Sequence, residues 1–338
     1  MKKALLAVLV LCLFSSCFIE EKKKSFGPQD VAIPGGAGVY SIGRMDHDTV
    51  YNAVCWKDGV KYNLVGSDPC DIYYDGQDVY ILGWIWENNK TRIKYWKNGI
   101  SHDVTDGTNN AYPGAFFFVG TDMYICGYET INNVSFAKYW KNGVEVTLSD
   151  GTTDEYADSI YVSGSDVYVC GSQISTVNFA IWNAKYWKNG VGTVLSNGTT
   201  MDVASKITGL GTDVYIAGTV NNKAVYWLNG AMTTLSTYNG GVTDMFISGT
   251  DIYISGNEYK SSMEPVEIAK YWLNGTAHAL TDGSYDAMAK SIFINGSNVY
   301  IAGSSDNDNN AFYWLNGTKT VIGDGSQNSY IKKTIVVQ

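Results

Sequence analysis

Tyr139-Trp140-Lys141-Asn142-Gly143 joins two aromatic residues to a tight turn, and the phrase occurs seven times along the chain. The other copies are Cys55-Trp56-Lys57-Asp58-Gly59, Tyr95-Trp96-Lys97-Asn98-Gly99, Tyr186-Trp187-Lys188-Asn189-Gly190, Tyr226-Trp227-Leu228-Asn229-Gly230, Tyr271-Trp272-Leu273-Asn274-Gly275 and Tyr313-Trp314-Leu315-Asn316-Gly317. Successive tryptophans of the phrase lie 40 to 47 residues apart. A period of that length marks an array of one supersecondary unit, each copy burying its apolar surface against the next.

Three further phrases share the period. An alternating stretch ending in Gly precedes each aromatic pair, as in Val79-Tyr80-Ile81-Leu82-Gly83 and Met123-Tyr124-Ile125-Cys126-Gly127. Just before it comes another, such as Ser159-Ile160-Tyr161-Val162-Ser163-Gly164. After the Asn-Gly turn a short stretch ends in Thr105-Asp106-Gly107, Ser149-Asp150-Gly151 or Thr281-Asp282-Gly283. Each unit therefore reads as four strands, a to d. The c-to-d link is Asn-Gly or Asp-Gly, which accepts positive φ at both central positions and predicts a type I′ hairpin. The b-to-c link varies most, from a few residues (Thr219 to Lys223) to a dozen (Ser172 to Ala184).

Neighbouring strand residues point to opposite faces, so Tyr139 and Trp140 cannot share one. An aromatic on each face suits a sheet packed on both sides by its neighbours, as in a β-propeller, and would leave one ring in water in an isolated sandwich. The first unit starts at strand b (Gly38 to Gly43) and lacks an a strand. The chain ends with Ile331-Lys332-Lys333-Thr334-Ile335-Val336-Val337-Gln338, which aligns with the a strand Met288 to Ile294. The tail thus fits the vacancy, closing an all-β ring of seven four-stranded blades and removing its exposed edges.

The first residues read as a secretory signal: Lys2-Lys3, an apolar run from Ala4 to Phe14, then Ser15-Ser16. That run is too short to span a bilayer as a mature helix. The expected organisation is a signal peptide over 1–16, a flexible tether over 17–34 containing Glu20-Glu21-Lys22-Lys23-Lys24, and the ring over 35–338. The net charge is -9. Without a basic face to displace counterions, nucleic acid is not an expected partner.

Leu13-Phe14-Ser15-Ser16-Cys17 resembles a bacterial lipobox, which implies cleavage before Cys17, lipidation of that residue and anchoring in the outer membrane, on its periplasmic or surface side. Over Gly35 to Gln338 the repeats resemble the seven-bladed β-propellers of secreted or lipid-anchored bacterial proteins. They lack the Gly-His and Trp-Asp pattern of WD40 repeats and the doubled glycine of kelch. The Tyr-Trp pair is similar to YWTD propellers, but Lys-Asn-Gly or Leu-Asn-Gly follows it here. No family's functional residues carry over.

No catalytic constellation stands out. His47 falls in the first b-to-c region, while His102 and His278 fall three residues past the turn glycine in strand d, facing solvent. No His or Cys spacing suggests a metal, and no cofactor is expected. The Asp-Gly-Thr and Asp-Gly-Ser phrases lack the acidic ladder of a calcium loop and read as turns. Cys126 and Cys170 share a slot with Leu82, Ala217, Ser255 and Ala302, which reads as a small buried side chain. A disulfide between Cys55 and Cys70 is open to an oxidising compartment. Residues entering strand a surround the channel in a propeller: Asp71, Asp158, Lys206, Asp244, Lys290 and Lys333.

Recognition is expected on the face where the b-to-c and d-to-a loops emerge. That face is expected to carry Trp84, Trp86, Glu129, Asp154, Glu155, Tyr156, Trp182, Tyr238, Glu258 and Tyr285. Trp84, Trp86 and Trp182 lie outside the seven-fold phrase; the first two also read as extensions of strand b packed between blades. Aromatics among polar groups suit a protein or a glycan. The leading reading is a non-enzymatic binding scaffold at the cell envelope. A carbohydrate-active enzyme (lyase or glycosidase) on the same face and a structural subunit of an outer-envelope complex stay open beside it.

Overall fold

In a computed structural model, residues 31–338 are described apart from positions 48, 49, 67, 176, 177, 179, 197, 198, 307, 324, 326 and 327. The signal segment, Cys17 and most of the tether lie outside the described residues. The chain forms seven four-stranded antiparallel sheets arranged as blades. Blade 1 takes its a strand from the C-terminus: Asn328–Val337 pairs with Gly38–His47, with Tyr40 opposite Ile335 and Val39 opposite Val336. Blades 2 to 7 follow in chain order over 68–103, 110–147, 155–194, 203–234, 240–279 and 287–321.

The aromatic phrase works as its sequence implies. The Trp of every copy is buried, at most 3% exposed, in the apolar clusters that fuse each blade to its neighbours. Its Tyr partner, on the opposite face, is half-buried in six copies, and Cys55 takes that place fully buried in the first. The turn residue has φ of 50 to 52° and its glycine 79 to 87°, the type I′ signature.

The Asn does more than permit the turn. Asn98 Oδ1 accepts the N–H of Val79, and its Nδ2 donates to Asp78, which opens strand b. The same clamp recurs at Asn142 with Asp122, Asn189 with Asp166, Asn229 with Asp213 and Asn274 with Asp251. Where Lys precedes Asn, its ammonium bridges the same Asp and lies over the strand-b Tyr, as Lys141 does with Asp122 and Tyr124. The loop phrases are turn chemistry. Thr105, Ser149 and Thr281 accept strand-c N–H groups. Asp106, Asp150 and Asp282 accept the N–H two residues on.

Every a strand carries a β-bulge at the same level. The extra residues are Cys70, Gly114 with Ala115, Asp158, Ser205, Thr243, Lys290 and Lys332. A bulge bends the strand and re-aims its side chain, here toward the ring's axis. It also folds a strand-a carbonyl over strand b. A Cβ at Gly171 would run into the carbonyl oxygen of Tyr156, and one at Gly218 into that of Val203. The glycine ending the strand-b phrase is therefore a requirement of the bulge opposite it in blades 1 to 6, while in blade 7 a Cβ at Gly303 would run into the Trp314 ring.

Two expectations are corrected. Most b-to-c links are two-residue turns, because the strands run on: Asn88-Asn89, Asn132-Asn133 and Asn221-Asn222 all have positive φ. Longer ones remain in blades 4 and 6. The end of the tether also belongs to the ring. Ile33 is buried beside Tyr40 and Trp96, its N–H donates to Asn98 O, and Tyr40 Oη donates to Pro34 O. Burial of Ile33 and the hydrogen bonds that Tyr40 and Lys57 donate to Pro34, Gly35 and Gly36 together offset the entropy of ordering these residues.

Removing residues 334–338 strips Thr334, Ile335 and Val337, all buried, from blade 1. The truncated chain is expected to melt at least about 10 °C lower, a loss of several kcal/mol. An unchanged melting curve by circular dichroism would show that the tail does not latch the ring.

The channel mouth as candidate functional site

The bulges set up two stacked rings around the axis. The lower ring is the bulge level itself. The upper ring, one step toward the loop face, consists of cross-strand a–b pairs: Arg44–Tyr330, Asp68–Trp84, Tyr112–Tyr128, Tyr156–Ser172, Val203–Thr219, Gly241–Asn257 and Met288–Ser304. The positions are equivalent in the repeat, yet their chemistry changes round the ring. Blades 2 to 4 contribute aromatics, blades 5 and 6 Val or small polar groups, blade 7 Met288 with Ser304, and blade 1 Arg44 over the Tyr330 ring.

The aromatics form one continuous chain. Trp84 meets Tyr112 edge-on at 5.7 Å, Tyr112 stacks on Tyr128 at 5.2 Å, and Tyr128 meets Tyr156 edge-on at 4.8 Å. Tyr156 then stacks on Trp182 at 5.4 Å and 15°. These are the offset-stacked and edge-to-face geometries that aromatic quadrupoles favour. Tyr128, Tyr156 and Trp182 line a cavity of about 190 Å³ at the channel mouth, with Ser172, Ser205, Thr243, Asn257, Asp158 and Lys290.

Below it, opposite charges neutralise each other. Lys333 Nζ lies 2.6 Å from Asp71, whose second oxygen accepts the Phe116 N–H; Lys206 lies 3.4 Å from Asp244, whose second oxygen accepts the Ile292 N–H. Although burial works to raise it, Asp71 is held below the usual carboxylate range by Lys333 and Lys206. Lys332 pairs with Asp68 at 3.1 Å.

Two charges lack such partners. Asp158 makes no hydrogen bond or salt bridge among the described residues, and burial pushes its carboxyl up to about 7. Lys290 makes no salt bridge among them, and its ammonium donates only to Met288 Sδ. Burial and the neighbouring Lys332 bring it down to about 8, against the pull of Glu267. Asp158 belongs to blade 4 and Lys290 to blade 7, so they stand on opposite walls.

The residues named from sequence divide. Tyr156, Trp182 and Trp84 join the aromatic chain. Trp84 and Trp86 both extend strand b, which runs Val79–Glu87, and Trp86 stays half-exposed outside the chain. Glu129, Glu155 and Glu258, expected on the open face, are buried in ion pairs with Lys138, Lys185 and Lys270 at 2.5 to 2.6 Å. The extended strands draw them into the blades. Glu258 also accepts the N–H groups of Thr237 and Tyr238. Asp154 clasps the link leaving blade 3 by accepting the Ser135 N–H at 2.6 Å. Tyr285 packs on the blade 7 core, and Tyr238 is exposed.

All six channel residues expected from sequence lie at this mouth or its floor. Tyr112, Tyr128 and Lys332 were missed. A signal existed for Tyr128, since it follows the strand-b glycine where other repeats place Ser172, Thr219 or Asn257. His102 and His278 stack on Tyr95 and Tyr271 in the outer strands, the second half-buried rather than open to solvent; His47 ends a strand. Cys126 and Cys170 are fully buried. Cys55 sits in a blade core and Cys70 at the channel, and no disulfide joins them.

Neither a protein-family model nor a curated protein matches this sequence. Many solved structures are similar, and two serve as examples. One is the β-propeller domain of the Trilobed protease from Pyrococcus furiosus, with a TM-score of 0.56 at 11% identity over 89% of this chain and 97% of that one. The other is the Pyrococcus horikoshii acylaminoacyl peptidase, with a TM-score of 0.54 at 12% identity over 90% of this chain and 54% of that one. This chain thus spans about half of the peptidase. What is shared is the fold: this is a seven-bladed β-propeller. The protease propeller is described as having an open velcro topology, whereas in this ring the first and last strands pair.

Asp158 yields a pH test. Its folded-state value lies above the unfolded one, so its contribution to stability is whole below about pH 4 and is lost as pH rises through about 7. Asp158→Asn should melt about 2 °C or more above wild type at pH 8, with the gap closing toward pH 4. A gap that does not vary with pH would show that Asp158 is not held in this state.

Proposed function

We propose that this propeller is a non-enzymatic binding scaffold, held at the bacterial cell envelope through a lipid on Cys17, which takes a protein or glycan ligand in its channel mouth. The observation that carries the reading is the chain of five rings from Trp84 to Trp182. The repeat does not demand it, since blades 5 and 6 hold Val203, Thr219, Gly241 and Asn257 at the same level and close equally well. Rigid aromatics lining a concavity supply contact area at low entropic cost.

Glycoside hydrolysis needs two carboxyl groups facing across the bond. Among the described residues of this mouth Asp68, Asp71 and Asp244 are committed to lysines, which leaves Asp158 alone, so binding is the better supported reading.

On glycan and peptide arrays, Trp182→Ala should weaken the strongest signal at least tenfold, the loss of one stacked aromatic contact. Undiminished binding would reject this mouth as the site. The anchor is tested separately: Cys17→Ala should move the protein from the membrane to the soluble fraction and abolish palmitate labelling, and a labelled variant would refute lipidation there.

A further inference from the structure

We propose that the mouth is specific for an acidic saccharide, a uronic-acid unit whose carboxylate pairs with Lys290 while its ring lies on the Tyr156–Trp182 wall; this rests on the binding reading above. Three features of the cavity converge on that chemistry. The first is charge. The floor is neutralised internally, with Lys333 on Asp71 and Lys206 on Asp244. Lys332 is matched by Asp68. Among the described residues the ammonium of Lys290 has only a sulfur acceptor, Met288 Sδ at 2.8 Å, and no carboxylate within ion-pair distance. A partly buried cation without a counter-ion is poorly solvated, and a ligand carboxylate supplies the missing partner.

The second feature is the opposite wall. Trp182 is stacked within 15° of parallel on the buried Tyr156, which fixes its ring, and the partly exposed indole offers an apolar surface on which the C–H face of a sugar packs. Between the walls stand Ser205, Thr243 and Asn257, and Asp158 lies on the aromatic wall itself. Their hydroxyl, amide and carboxyl groups match a ligand dense in hydroxyls. The third is size and edge. A cavity of about 190 Å³ admits one ring-sized unit. The bulge in every a strand interrupts the regular row of backbone groups that an extended peptide pairs with.

The test titrates the mature protein by calorimetry with tetragalacturonate, its methyl ester and tetraglutamate. The free acid should bind at least tenfold more tightly than the ester. Lys290→Met should reduce the acid's affinity to that of the ester, Lys290→Arg should retain most of it, and Trp182→Ala should weaken acid and ester alike. Equal affinity for acid and ester, or an unaffected Lys290→Met, overturns the carboxylate pairing while leaving the scaffold reading standing. Tighter binding of tetraglutamate overturns the saccharide class. No binding of either acid overturns the inference, and the array experiment with Trp182→Ala then decides the scaffold reading on its own.

Discussion

The antiparallel pairing of Asn328–Val337 with Gly38–His47 turns a row of sheets into a ring. Blade 1 has no other source for its inner strand, and an unpaired strand edge is a template for aggregation. The join is secured by side chains as well as by the ladder. Ser41 and Thr334 share a buried hydrogen bond at 2.8 Å, and the Thr334 N–H donates to Ser291 of blade 7. Lys332 and Lys333 of the same strand reach Asp68 and Asp71 of blade 2. The latch therefore touches both neighbouring blades and contributes two of the channel's cations, so closure and the electrostatics of the mouth rest on one strand.

The seven bulges are the second structural device. Each re-aims one or two strand-a residues into the channel, and six of them require the glycine facing them, the seventh glycine, Gly303, making room for Trp314. Because all blades repeat the device, any side chain at the bulge or just above it points toward the axis regardless of its chemistry. The scaffold thus separates two tasks. The Trp, Asn-Gly and Gly positions hold the blade, and the axial positions are left to vary without loss of the ring. That separation explains how aromatics gather on blades 2 to 4 and cations on blades 7 and 1 of one wheel.

The polar residues of the loop face show the same economy. Glu129, Glu155 and Glu258 are consumed in tying strands of a blade together, each with a Lys two residues before the conserved Trp. Asp154 fastens a link between blades. A carboxylate so buried and so paired is costly to disengage, so these groups belong to the frame. What remains for a ligand at the mouth is the aromatic chain, the hydroxyl-bearing residues, Asp158 and Lys290.

Period, blade number, hairpin type and the closing strand were legible in the sequence because they depend on local patterns: alternation sets strand faces, and Asn-Gly sets the turn. The six channel residues were legible too, since equivalent repeat positions share one place in space. The role of Glu129 was not, because the extension of strand b past Gly127 depends on pairing with strand c, which composition does not reveal. Nor was the run from Trp84 to Trp182, whose members come from three blades and meet only when the blades are packed side by side. Repeated local chemistry determined the wheel. The mouth was decided by tertiary packing, because bulges and blade-to-blade contacts bring distant residues to one axis.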